Sequence, residues 1–344
     1  MVYEYANRLV ARGHEVIVVH PRLMPNWSPP PSNIYYWLRR KVGYLRNLVF
    51  HPQVHWQPID SRVRMLYVPE PSARYIPDAD AVFATAWQTA EYVIEYPSEK
   101  GQKFYLIQDF SPYLGPKTRL EATWREPFKK VVYSCWLYDQ VLRSGVPKSD
   151  IILIPPIGID HQRFRLLEDI VTRPKRVAMM FSLGSYKAPE DGLKAIEICK
   201  KEYKDFQAVI FGPSSRPKVL PSWIKYMANI SEEKLVHLYN SSSIFLSSSI
   251  AEGFALPPAE AMACGCAVVA TDSGGIREYA EHEKTALLSP PRDPEALAKN
   301  LLRLLKYDDL RIQLAKAGHK RIQEFTWDQS TDLLEQFLLQ HVKI

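Results

Sequence analysis

Short apolar runs that alternate with helical stretches constrain the fold of this chain more than any other feature. Most runs are nearly continuous and β-branched, so both faces of each strand should be covered by other parts of the protein. The strand candidates are EVIVVH (15–20), VRMLYV (63–68), AVFAT (81–85), FYLIQD (104–109), VVYS (131–134), IILIPP (151–156), VAMMFSL (177–183), QAVIFG (207–212), IFLSSS (244–249) and AVVAT (267–271). Helical patterns lie between them, for instance at 189–203 and 293–307. This order predicts an α/β fold of parallel sheets wrapped by helices, the doubly wound plan.

The pattern restarts near IPPIGIDHQRF (154–164), where prolines, a glycine and charged residues interrupt it. A chain of 344 residues is also long for a single core. We therefore predict a first domain over 1–157, a second domain over 158–325 and a closing helix over 326–344. Two doubly wound domains joined by a hinge form a cleft at the carboxyl ends of their strands, where ligands bind in this class.

The chain opens directly in an amphipathic helical pattern, VYEYANRLVARG (2–13), that leads into a strand. A doubly wound domain ordinarily has a strand and a glycine-rich turn before such a helix. Two explanations stay open: the start is truncated or misassigned, or the first sheet lacks a strand that usually lies centrally.

Composition excludes several classes of protein. The formal charge of +6 is mild and dispersed, which does not indicate a nucleic-acid partner. No apolar run reaches the length of a membrane span and the start carries no signal-peptide pattern, so a cytoplasmic location is expected. Asp78 and Asp80 form an Asp-x-Asp pair, but no other ligand set accompanies them and a metal-independent protein is expected. The cysteines are expected to be buried free thiols: Cys135, Cys199, Cys264 and Cys266.

The stretch AEGFALPPAEAMACGC (251–266) reads as a loop followed by a helix. Proline suits the first helical positions and Gly265 suits the stop, which places Glu260 in the first turn and Glu252 in the loop before it. A helix start offers the positive end of its dipole to a phosphate. Because prolines lack an N–H, the donors must come from the amides of the loop: Gly253, Phe254, Ala255 and Leu256.

The two glutamates indicate which ligand lies beside that phosphate. A carboxylate aimed at a phosphate would be repelled, so Glu260 should turn towards neutral hydroxyl groups. A ribose diol offers two adjacent donors that one carboxylate can accept. Glu252 could accept hydrogen bonds from a sugar beyond the phosphates. The arrangement therefore predicts a nucleotide-sugar site.

The stretch 251–305 resembles the donor-binding half of the retaining glycosyltransferases of family 4, the group 1 enzymes with the GT-B fold. Their signature is two glutamates separated by seven residues, then EAMACG and a Gly-Gly loop. The resemblance covers essentially all of 130–340 and, more loosely, the first half. It implies two Rossmann-like domains facing across a cleft, with a last helix that crosses back to the first domain. The segments MMFSLGSYKAPEDGL and YLIQDFSPYLG look more like the rhamnosyltransferase branch.

The resemblance also implies roles for particular residues. Glu252 would contact the donor sugar, Glu260 the ribose, and Lys187 the diphosphate. The backbone amides of Gly274 and Gly275, like those of 253–256, would face the donor. The chain departs from the family at two places: FSLGS (181–185) lacks the usual arginine, and the usual histidine is replaced at a strand end by Gln108 and Asp109.

The implied reaction moves a hexose or deoxyhexose from a nucleotide diphosphate to a glycan or lipid-linked acceptor. Retention in the family is explained by same-face attack, in which the departing phosphate takes the acceptor proton and no protein nucleophile is needed. Two alternatives stay open. One is a non-catalytic nucleotide-sugar-binding protein with a degenerate acceptor half, and the other is a nucleotide-sugar epimerase, which would need acid–base residues on both cleft walls.

The segment NIYYWLRRKVGYLRNLVFH (33–51) mixes aromatic and basic residues. Such a helix can lie on an anionic membrane surface, here the inner face, which would make the protein peripheral to the membrane. The alternative is an ordinary packing helix whose basic side chains extend to solvent.

Overall fold

The structure is a computed structural model that describes residues 1–24, 54, 57–109, 116–154, 157–182, 184–213, 215–218 and 220–342. The segment 33–51 therefore lies outside the described residues. The first half of the chain contains the helices and strands α1 (Val2–Ala11), β1 (Ile17–Pro21), β2 (Arg64–Val68), β3 (Ala81–Ala84), α2 (Trp87–Val93), β4 (Gln102–Leu106), α3 (Lys117–Arg125), β5 (Lys129–Val132), α4 (Cys135–Arg143) and β6 (Ile151–Leu153).

The second half continues the alternation of strands and helices. Its elements are β7 (Arg176–Met180), α5 (Pro189–Glu202), β8 (Gln207–Gly212), β9 (Lys225–Ala228), α6 (Glu232–Asn240), β10 (Ile244–Ser247), α7 (Leu256–Ala263), β11 (Ala267–Thr271), β12 (Leu287–Ser289), α8 (Pro294–Lys306), α9 (Asp308–Ile322) and α10 (Trp327–His341). The six strands form one parallel sheet in the order β12-β11-β10-β7-β8-β9. Helices cover both faces, as the continuous apolar strands predict.

The strands of the first half form two separate parallel sheets among the described residues. β1 pairs with β2, and β3 to β6 form a four-stranded sheet in sequence order. No ladder of hydrogen bonds joins β1 to β3 in the described part.

The last helix, α10, packs against the first half of the chain. The Tyr5 hydroxyl lies 2.5 Å from the Ser330 hydroxyl, and Arg12 pairs with Glu335 at 2.7 Å. Deeper in the core, the rings of Phe104 on β4 and Phe337 on α10 meet edge to face at 5.8 Å. α10 thus joins α1 and the four-stranded sheet to the second half.

Two short strands were not predicted from the sequence. β9 is an edge strand with exposed ends, and β12 has three residues, so neither shows a long apolar run. The predicted strand at 131–134 begins earlier, at Lys129, and ends at Val132. Ser134 instead caps α4, because its hydroxyl accepts a hydrogen bond from the Leu137 amide.

Arg173 holds the ends of two helices, α6 and α7. Its buried guanidinium donates to the carbonyl of Cys264, just after α7, at 2.8 Å, and to that of Ser242, just after α6, at 3.3 Å. A cation near a helix carboxyl terminus is favourable, and here one cation serves two helices. Burial lowers the pKa of Arg173, whose bonds go to carbonyls and to the Asn240 side chain.

Replacing this guanidinium should destabilise the second half of the chain. We expect Arg173→Met to lower the free energy of unfolding by about 3 kcal/mol, because several buried carbonyls lose their donors at once. Urea unfolding followed by circular dichroism measures the change. The matched control is Arg303→Met, which breaks a surface ion pair with Glu283 and should cost less than about 1 kcal/mol. Equal effects in the two variants would contradict the role assigned to Arg173.

Candidate functional site

Three loops follow three adjacent strands of the second sheet, β7, β10 and β11. Since parallel strands end at the same edge, these loops lie side by side at the carboxyl edge of the sheet. The first loop carries Lys187, the second Glu252 and the third Gly274 and Gly275. Residues far apart in the sequence are thereby brought into one site.

Lys187 and Glu252 form an ion pair at the centre of this site. The Lys187 ammonium lies 2.6 Å from the Glu252 carboxylate, and the two side chains are only 15% and 10% exposed. The same ammonium lies 5.0 Å from the centre of the Tyr186 ring. Each of the two charges offsets the cost of burying the other.

Two helices, α5 and α7, begin beside this pair. Each is preceded by an alanine in the left-handed region, Ala188 with φ 40° and Ala255 with φ 68°. The Ser248 hydroxyl lies within 2.8 Å of the Ala188 carbonyl and so ties the second loop to the first. Non-glycine residues in this region are strained and cluster at functional sites. Two positive helix ends and a lysine together form a site suited to an anion.

Within the second loop, the donor-binding candidates differ in their surroundings. Phe254 is buried, and its ring lies 5.2 Å from the ring of Tyr279. The Tyr279 hydroxyl donates to the Ala255 carbonyl at 2.6 Å and so fixes the turn into α7. Leu256 is the first residue of α7.

Glu260 is the fifth residue of α7 and lies just beyond its first turn. The helix begins at Leu256, ahead of both prolines, so the expected place in the first turn is wrong. Burial raises the pKa of the Glu260 carboxyl to about 7, against the opposing effects of a hydrogen bond from Tyr239 and the charge of Arg163. The Tyr239 hydroxyl is 3.4 Å from the carboxylate.

Gly274 and Gly275 lock the third loop against the second. The Glu252 amide donates to the Ser273 carbonyl at 2.9 Å, and the Gly275 amide donates to the Glu252 carbonyl at 3.0 Å. A side chain at Gly275 would place its Cβ 2.1 Å from the Gly253 carbonyl oxygen, so the close approach requires glycine. In this arrangement the Gly275 amide already has a partner within the chain.

Gln108 and Asp109 follow β4 of the first half and meet the second loop. A Cβ on Gly253 would lie 2.1 Å from the Gln108 carbonyl oxygen and 3.4 Å from the Asp109 Cα. The Gln108 side chain donates to the Thr85 carbonyl at 2.8 Å, so it is held on its own sheet. The structure therefore places these two residues of the first half against the loop that carries Glu252.

Tyr186 and Tyr239 belong to the site and were missed from the sequence. Burial raises the pKa of Tyr186, which also feels the charges of Lys187, Glu252 and Asp109. Tyr239 is fully buried on α6. Tyr186 could have been predicted as a site residue because it is next to Lys187 in the sequence. Tyr239 could not, because its position in the sequence resembles that of any apolar residue in a helix.

One expectation about the cysteines was wrong. Cys199, Cys264 and Cys266 are buried, but Cys135 is exposed at the start of α4. Its thiol lies 3.8 Å from the carboxylate of Glu278, across the boundary between the two halves.

The described residues contain no group of three or more histidine, cysteine, aspartate or glutamate side chains that could hold a metal ion. Asp78 of the Asp-x-Asp pair binds Lys100 at 2.7 Å. No helix in the described part is long and apolar enough to cross a membrane.

The two α/β halves that meet at these loops have the GT-B fold. Residues 162–321 match the family described as glycosyl transferases group 1. The structure of Anabaena HepE in complex with UDP and glucose superposes with a TM-score of 0.74 at 14% identity, covering 98% of this chain and 95% of that one.

Two curated relatives have the name D-inositol 3-phosphate glycosyltransferase. The one from Jonesia denitrificans is 28% identical over 325 residues, which are 87% of this chain and 69% of the relative. The one from Corynebacterium jeikeium is 29% identical over 210 residues, which are 53% of this chain and 50% of the relative. The chain thus spans only part of each relative.

The raised pKa of Glu260 predicts a stability that depends on pH. Between its ordinary pKa of 4.5 and about 7, the folded protein holds a proton that the unfolded chain has lost. Stability therefore falls as the pH rises through this window. We expect Glu260→Gln to match wild type at pH 4 and to be more stable by about 1–2 kcal/mol at pH 8, as urea unfolding measures.

The matched control is Glu202→Gln, which changes an exposed glutamate near Lys306. Urea unfolding of this variant over the same pH range shows what replacing a surface glutamate does to stability. A Glu260→Gln variant that is less stable than wild type at pH 8 would contradict this account, because it would show that the ionised Glu260 carboxylate does not destabilise the folded protein.

Proposed function

We propose that this protein is a retaining glycosyltransferase that moves a hexose or deoxyhexose from a nucleotide diphosphate to a glycan or lipid-linked acceptor. The observation that carries the proposal is the buried Lys187–Glu252 pair between two helix starts, with Glu260 on the second of these helices. The curated relatives carry a glycosyltransferase name, and the HepE structure contains UDP and glucose, which supports a nucleotide-sugar donor.

The proposed donor pose assigns each part of the ligand to a different group. The diphosphate lies at the starts of α5 and α7, where Lys187 adds a full positive charge. The ribose diol donates to Glu260, which is favoured as the carboxylate once two hydroxyl donors reach it. The sugar hydroxyls donate to Glu252, and the 253–256 backbone lines the space between sugar and phosphates.

Ligand binding exchanges partners within the central pair. Without a ligand, Lys187 and Glu252 neutralise each other at 2.6 Å. A diphosphate offers Lys187 a doubly charged partner, and the sugar offers Glu252 hydroxyl donors. Both charges thus remain partnered in the bound state, which avoids the cost of a lone buried ion.

Transfer requires one bond to break and one to form on the same face of the sugar. The bond between the anomeric carbon and the phosphate oxygen breaks, and the acceptor oxygen bonds to that carbon. The acceptor proton goes to the departing phosphate, whose growing charge Lys187 and the helix starts stabilise. Gln108 and Asp109 lie on the acceptor side, where they position the incoming hydroxyl group.

Two further features belong to this proposal. We place the positive charge needed by the leaving group on Lys187 and the helix starts, so transfer proceeds without a metal ion. We also place the protein in the cytoplasm, with a peripheral contact to the inner face of the membrane. That contact would use the segment 33–51, which lies outside the described residues.

A second candidate function follows from the split sheet of the first half. The acceptor side is built on the domain whose strands form two separate sheets among the described residues. A protein that binds the nucleotide sugar without transferring it would need only the second half. Product formation with any acceptor separates the two functions, whereas binding alone does not.

A thermal-shift panel of UDP, GDP, dTDP and ADP without metal tests the donor site. We expect one base series to stabilise the wild type, since a ligand at 100 times its dissociation constant adds about 2.7 kcal/mol. Glu260→Ala should abolish that shift because the ribose loses its acceptor. The matching nucleotide sugars are then incubated with acceptors, and products are detected by mass spectrometry.

The control for this panel is Glu202→Ala, on an exposed surface, which should shift like wild type. Stabilisation of Glu260→Ala equal to that of wild type would exclude the proposed ribose contact. Binding without any transferred sugar would favour the second candidate function.

A further inference from the structure

The start of α4 in the first half is capped by a residue of the second half. The Cys135 amide, first in the helix, donates to the Glu278 carboxylate at 2.6 Å. Ser134, the helix's own cap, accepts a different amide, that of Leu137. A carboxylate at a helix start satisfies a free N–H and meets the positive end of the dipole.

A second contact joins the same turn of α4 to the Gly-Gly segment. Trp136 lies on Gly274, where an added Cβ would be 2.4 Å from a ring carbon. Gly274 has φ +87°, a conformation that favours glycine. The segment Gly274–Glu278 is therefore held by α4 at both of its ends.

The segment leads directly into the proposed donor site. The Gly275 amide donates to the Glu252 carbonyl at 3.0 Å, and the Glu252 carboxylate pairs with Lys187 at 2.6 Å. A displacement of the segment from α4 therefore moves the backbone that carries Glu252. On the other side, the Arg321 guanidinium donates to the Glu278 carbonyl at 3.0 Å and fixes the segment to its own domain.

We propose that Glu278 is a positioning residue that couples closure of the two halves to the placement of Glu252. The inference rests on the proposed function for its consequence in transfer, but the contact itself exists without a ligand. When the halves close, the Glu278 carboxylate reaches the start of α4 and the Gly-Gly segment lies against Trp136. When they separate, both contacts are lost together.

Two variants of Glu278 separate the effect of its hydrogen bond to the start of α4 from the effect of its negative charge. Glu278→Gln keeps an oxygen that accepts from the Cys135 amide, whereas Glu278→Ala removes the cap. The first readout is the labelling rate of Cys135, the exposed cysteine of the four, with a thiol reagent. We expect labelling to be about tenfold faster in Glu278→Ala than in Glu278→Gln. Both variants lose the carboxylate that raises the pKa of the Cys135 thiol, but only Glu278→Ala also loses the cap that holds α4 against the segment Gly274–Glu278.

The second readout is the division between binding and turnover. We expect Glu278→Ala to bind the nucleoside diphosphate within twofold of wild type and to transfer sugar at least tenfold more slowly. Glu278→Gln should restore most of the turnover. Glu283→Ala, on the same domain but paired with Arg303, is the control and should behave like wild type in both readouts.

The outcomes distinguish this inference from the proposed function. Wild-type labelling of Cys135 in Glu278→Ala would overturn the inference, as would equal acceleration in Glu278→Ala and Glu278→Gln. A parallel loss of nucleotide affinity and turnover would also overturn it. If no nucleotide binds the wild type, the proposed function fails. The labelling comparison still tests whether Glu278 holds α4 against the segment Gly274–Glu278. If Glu278→Ala does not fold, Trp136→Leu tests the same contact from the other domain, with faster labelling expected.

Discussion

The buried ion pair between Lys187 and Glu252 is the interaction on which the rest of the site depends. Losing one partner of a buried pair ordinarily costs about 3–5 kcal/mol, because the other charge is left without compensation. The two residues come from loops after neighbouring strands, so the pair also holds those loops together. The strained alanines, the Ser248 hydroxyl and the close glycine contacts all maintain this one geometry. A ligand that replaces the pair must therefore offer both an anion and hydroxyl donors.

The same loops also make contacts between the two halves of the chain. Gly253 touches the backbone of Gln108, and Glu278 caps α4, so the donor loops are also the loops that meet the first domain. Binding of a ligand and closure of the cleft thus act on the same backbone. Arg173 supports this arrangement because it binds carbonyls just after α6 and α7 and so holds the ends of both helices in place.

Much of this architecture is predictable from local sequence, and the exceptions have physical causes. The helices predicted at 189–203 and 293–307 are observed at Pro189–Glu202 and Pro294–Lys306, because proline starts and regular apolar spacing are local signals. The strand 207–212 is likewise found as Gln207–Gly212. Tyr239, Glu278 and the exposure of Cys135 depend on contacts between residues distant in sequence, and no periodicity reports them. Glu260 lies just beyond the first turn, and not in it as predicted, because the helix begins at Leu256, before its prolines.

The most direct test of the exchange of partners is calorimetric titration of Glu252→Gln with the nucleoside diphosphate that binds and with its nucleotide sugar. The variant frees Lys187 from its partner but weakens the contact with the sugar. The account predicts that the nucleoside diphosphate binds at least as tightly as to wild type, while the nucleotide sugar binds about tenfold more weakly, a loss equal to about 1.4 kcal/mol. An equal loss of affinity for both ligands would contradict it.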